Sequence, residues 1–99
     1  MTTITPSARP RPMFWASGGS IVMRMATGCF AIDTEQAADL LSLFDDERKA
    51  ALANPNGTDS DAWIAAMEKH NELSVALIEA GKWARASGCL SDIQRRDAA

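Results

Sequence analysis

The chain has 99 residues, 46% of them apolar and 23% charged, and a formal net charge of −3. That length allows one modest core and not two. The acidic balance excludes the basic footprint of a typical nucleic-acid binder.

The charges are segregated along the chain. Residues 1–32 hold Arg9, Arg11 and Arg24 and no acid. Residues 33–61 hold eight acids against Arg48 and Lys49, a net of −6, and residues 62–99 balance at five against five. Residues 1–12, MTTITPSARPRP, contain three prolines and only Met1 and Ile4 as sizeable apolar side chains. Too little can be buried there to offset the entropy of ordering, so a flexible N-terminal arm is expected, with a single domain over 13–99. Gly18–Gly19–Ser20 and Arg24 interrupt the apolar run that follows Arg9 and Arg11. No secretory or membrane-spanning segment is therefore expected, and the reading is a cytoplasmic protein.

Met13–Ala16, Ile21–Met25 and Cys29–Ile32 are short apolar runs separated by Ser17–Gly18–Gly19–Ser20 and Thr27–Gly28. Runs of this length between such turns predict a three-stranded antiparallel meander. In its middle strand Ile21, Met23 and Met25 share one face, with Val22 and Arg24 on the other. At Asp33 the period changes to that of a helix. Asp33 with Gln36 three residues on forms a capping box, and Glu35 suits the first turn. Ala37, Leu40, Leu41, Phe44, Arg48, Ala51 and Leu52 fall on one face, expected to be the floor of the sheet. Glu35, Asp39, Ser42 and Asp46 fall opposite. Asp45 can pair with Lys49 one turn on. Arg48, among the apolar positions, is expected to cover them with its stem or to pair with a boundary carboxylate. Asn54–Pro55–Asn56–Gly57 ends this helix.

Thr58–Asp59–Ser60–Asp61 starts a second helix. Trp63, Ala66, Met67, His70, Leu73, Leu77, Ala80 and Ala84 share its face. Ile64, Val75 and Ile78 form a flanking strip, which predicts cover on more than one side. Gly81 is a break or kink, Lys82–Ser87 continues the helix, Gly88 is its C-cap, and Leu90 and Ile93 belong to a last short turn. The expected fold is α+β: a short three-stranded antiparallel meander packed against two α-helices.

Catalytic and ligand motifs are absent from this pattern. His70 is the only histidine, and with Cys29 and Cys89 it lacks the spacing of a zinc site. The cysteines read as reduced, largely buried thiols, a disulfide between them being the lesser alternative. No metal, cofactor or catalytic residue is expected, and the chain is read as non-enzymatic. Trp63 reads as core. Trp15 and Trp83 are the tryptophans best placed for partial exposure, where aromatics anchor interfaces, with core packing the plainer account of each. Glu35, Asp39, Asp45 and Asp46 form an anionic row that suits the Arg and Lys of a protein that holds nucleic acid. Solvation alone is the plainer account of the same row.

A small acidic domain with a meander, two helices and no catalytic motif resembles, in general appearance, the small inhibitors of phages and mobile elements, anti-CRISPR proteins among them. The resemblance implies a stoichiometric inhibitor that binds a basic, nucleic-acid-handling protein complex, contacts no nucleic acid itself and performs no chemistry. Two other classes stay open. One is a small regulator that touches DNA or a toxin through Arg9, Arg11 and the sheet. The other is a structural subunit that self-associates through the sheet edge or the second helix.

Overall fold

A computed structural model describes residues 12–98. Residues 1–11 of the expected arm, with Arg9 and Arg11, and Ala99 lie outside the described residues. Strands β1 (Phe14–Ser17), β2 (Ser20–Met25) and β3 (Gly28–Ile32) are followed by helix α1 (Thr34–Ala51), one 3-10 turn at Gly57–Asp59, and helices α2 (Asp61–Glu79) and α3 (Trp83–Ala98). The fold is α+β, as the sequence predicts, with three helices where two were expected.

The sheet is an antiparallel meander in the order β1-β2-β3. Two-residue turns fix its register, pairing Ser17 with Ser20 and Met25 with Gly28. Gly18, at φ 63°, supplies the positive φ that the first central residue of a type II′ turn requires. The expected alternation holds: Phe14 and Ile21 are buried, with Met23 beside them, while Trp15, Val22 and Arg24 share the other face. The Arg24 amide donates to the Met13 carbonyl at 2.7 Å, so β2 bonds β1 through Val22 and Arg24. By alternation it bonds β3 through Ile21, Met23 and Met25.

The starts of α1 and α2 are visible in the side chains that cap them. The Gln36 amide donates to Asp33 Oδ1 at 2.7 Å and the Asp33 amide to Gln36 Oε1 at 2.9 Å, completing the capping box. Ser60 caps α2, its Oγ accepting the Trp63 amide at 3.2 Å. At the end of α2 the Lys82 amide reaches the Leu77 carbonyl and the Gly81 amide the Ile78 carbonyl, with Gly81 at φ 74°. This is the Schellman arrangement, and it stops the helix. The chain therefore restarts as α3 and does not continue α2. Gly88 lies inside α3 and is not its cap, because Ala86 is buried and Leu90 packs on the core from either side of it.

One core runs through all layers, built from Phe14, Ile21, Ala37, Leu41, Phe44, Leu73, Ala76, Leu77 and Ala86. The sequence makes α1 the floor of the sheet. In the fold α2 lies along β1, and α1 packs between α2 and α3. It reaches the sheet through Phe44, whose ring meets that of Phe14 edge-on at 5.8 Å. The separate α3, turned back by Gly81, claims the other side of α1.

Four further expectations are corrected. Ile64, Val75 and Ile78 are exposed, because α3 folds onto α1 and leaves the outer side of α2 uncovered. Cys29 is exposed and Cys89 half-buried, both free, since Cys29 sits on the open face of an edge strand. Leu52, the C-cap just past the last residue of α1, is exposed and takes no part in the core. Trp63 is half-buried, not fully enclosed.

Candidate functional site

The acidic row of α1 is built as its spacing requires. Glu35, Asp39 and Asp46 are exposed, Ser42 is half-buried between them, and steps of four, three and four residues rise by about 4.5–6 Å each. None of the three carboxylates forms an ion pair among the described residues. They are therefore available to an outside cation.

Asp45 differs. Its Oδ1 accepts Arg48 Nη2 at 2.7 Å and Nε at 3.2 Å, and Lys49 Nζ lies 3.0 Å from Oδ2. The Arg48 guanidinium is the main influence holding its carboxyl below the ordinary 3.8, and Lys49 adds to it; partial burial opposes both. A carboxylate already shared by two cations offers less to a partner than its neighbours do.

The side of the row that meets α3 is not purely acidic. Asp45 and Asp46 line a cleft of about 530 Å³ with Lys49, His70 and Gln94. Glu35 and Asp39 line a second, of about 540 Å³, with Cys89, Asp92 and Arg96. Glu35 also borders a third cleft, beside Lys82, Arg85 and Cys89. Cations of α3 thus stand along the acids of α1. Sequence reasoning did not place them there, because it read residues 82–87 as an extension of α2. His70, on α2, lines the same cleft as Asp45 and Asp46 of α1, a placement without any local signal.

The two tryptophans stand apart from this row. Trp15 is half-buried on β1 and lines a groove against α2 with Val75, Ala76 and Glu79. Trp83 opens α3 and is 37% exposed. The structure brings Glu35, Asp39, Asp45 and Asp46 onto one helix and joins neither tryptophan to them.

Among the described residues no group of three or more His, Cys, Asp and Glu side chains is placed to hold a metal ion. The Ser74 hydroxyl donates to the His70 carbonyl at 2.8 Å. What the arrangement offers is charge at fixed spacing on a rigid, capped helix. No described helix is long and apolar enough to cross a membrane. No protein-family model, curated protein or solved structure matches this chain.

Proposed function

We propose that this protein acts by binding another protein, a basic, nucleic-acid-handling protein or complex, as a non-enzymatic inhibitor in the manner of the anti-CRISPR proteins that it resembles. The observation that carries this reading is the exposed row Glu35, Asp39 and Asp46 on α1, without an ion pair among the described residues. Carboxylates one turn apart on a rigid helix imitate the repeating charge of a nucleic-acid backbone and compete for the groove that holds it. Asp45 takes a supporting part, since its charge is shared with Arg48 and Lys49.

The test is a pull-down from the native host with the wild-type chain and with Asp39→Lys, Asp46→Lys. Capture of a nucleic-acid-handling protein is expected, weakened by at least about tenfold and less salt-sensitive in the double variant. Equal capture by both forms would sink the acidic row as the binding surface. A gel shift on short duplexes is expected to show no binding. A shift that depends on Arg9 and Arg11 would favour a DNA-binding regulator instead.

Strand β3 favours a second reading, self-association through the sheet edge. β3 is uncharged and exposed from Gly28 to Ala31, and Phe30 is 46% exposed. Its Gly28, Phe30 and Ile32 bond to β2, so the amides and carbonyls of Cys29 and Ala31 point outward. A two-fold axis at Phe30 would pair Cys29 with Ala31 of a second copy in both directions and oppose the two Phe30 rings. Light scattering decides it: a dimer lost in Phe30→Lys supports this reading, and a monomer at all concentrations ends it.

A further inference from the structure

Helix α2 has one covered and one open side. Ala66, Leu73, Ala76 and Leu77 are buried against the core. Ile64, Val75 and Ile78 are 41%, 52% and 60% exposed. With Glu68 and Asn71 these three follow steps of four, three, four and three residues. That spacing keeps side chains on a single seam, the one that a helix presents to a partner helix.

The charges that α2 itself carries in and beside the seam have one sign. Asp61, Glu68 and Glu79 are exposed, and none forms an ion pair among the described residues. Glu72 is half-buried and accepts the Met13 amide at 2.8 Å. The one Lys or Arg of α2, Lys69, is turned to the other side, 3.1 Å from Glu47 and over the ring of Phe44. Next to the seam runs the groove of about 390 Å³ between α2 and β1, where Trp15 stands opposite Val75.

We infer that the outer face of α2 is a docking surface for a cationic amphipathic helix of another protein. The apolar side of that helix covers Ile64, Val75 and Ile78, and its Lys or Arg residues meet Glu68 and Glu79. Charge selects this occupant. A second copy of α2 would set acids against acids, and nucleic acid would be repelled. The surface lies on α2, away from the α1 row behind the proposed inhibitory function, so either one can fail without the other.

The test uses the full chain and labelled synthetic peptides of about three heptads, with Leu at a and d and Lys at e and g. One control replaces each Lys by Glu, and another scrambles the cationic sequence. The amphipathic cationic peptide is expected to bind, more weakly as salt rises, and neither control to match it. Val75→Ser with Ile78→Ser, both at exposed positions, is expected to weaken binding at least about tenfold with the circular dichroism unchanged. Equal binding of the scrambled peptide, or unchanged affinity in the double variant, overturns the proposal. So does a dimer in light scattering that the same variant abolishes, which assigns the face to a second copy.

Discussion

Asp45 shows how far a carboxylate's place on a helical wheel is from its availability. Its i+4 pairing with Lys49 and the need of Arg48 for a boundary carboxylate were both legible in the sequence. That one carboxylate serves both cations was not, because it depends on rotamers that only the packed surface selects. The consequence is testable through pH. The fold favours the charged form of Asp45, chiefly through Arg48, so its carboxyl is held below 3.8. The stabilisation is therefore full above the unfolded value and fades as pH falls through the lower folded one. Both side chains of the Arg48 pair remain about a third exposed, so solvent screens them and the contribution is small. Asp45→Asn is expected to cost less than about 1 kcal/mol in urea unfolding at pH 7, and the difference should shrink as pH falls below 3.8. A cost that stayed constant down to pH 2 would show that the side chain acts through packing and not through its charge.

Helix ends were legible where a side chain marks them; at Gly81 the break was one of two readings, and at Gly88 the expected cap was wrong. The capping box at Asp33 and the start at Ser60 are local devices, and the sequence contains all their parts. Gly81 and Gly88 look alike in sequence, seven residues apart, yet one ends a helix and the other sits inside one. Tertiary contact separates them: the chain turns at Gly81 so that Ala86 and Leu90 can reach the core beside α1, and their burial outweighs the weak propensity of Gly88. Opposite effects of the same substitution follow. Gly81→Ala forces φ 74° on a residue with a Cβ and is expected to destabilise by about 1–2 kcal/mol. At Gly88 an added Cβ meets nothing within 4 Å, so Gly88→Ala is expected to stabilise by up to about 1 kcal/mol. Thermal unfolding of the two variants measures both, and shifts of the same sign would contradict the helix boundaries described. The strands were legible for a related reason, since each turn declares itself by Gly-Gly or Thr-Gly between apolar runs. Which helix covers them was not, because the exposed strip of α2 and its buried face are almost equally apolar.

At the scale of the molecule, the layers are joined by one small set of side chains, and this sets how the protein fails. Phe14 and Ile21 come from the sheet, Leu41 and Phe44 from α1, Leu73 and Leu77 from α2, and Ala86 from α3, all in a single cluster. No layer keeps a core of its own. α3 contributes one buried alanine and the partly buried Leu90, so it holds only while α1 is in place. Leu73 is fully buried on the helix that touches both the sheet and α1. Leu73→Ala is expected to cost about 2–5 kcal/mol, a large part of the roughly 5–15 kcal/mol that stabilises a domain of this kind. The loss should fall on every layer at once. Tryptophan emission reports on β1, α2 and α3 through Trp15, Trp63 and Trp83, and far-ultraviolet circular dichroism reports mainly on the helices. In the variant, as in the wild type, the two signals are expected to give one coincident urea transition, shifted to lower concentration. Separate midpoints would mean that the sheet or α3 unfolds on its own, and the single core would then be the wrong account of what holds this chain together.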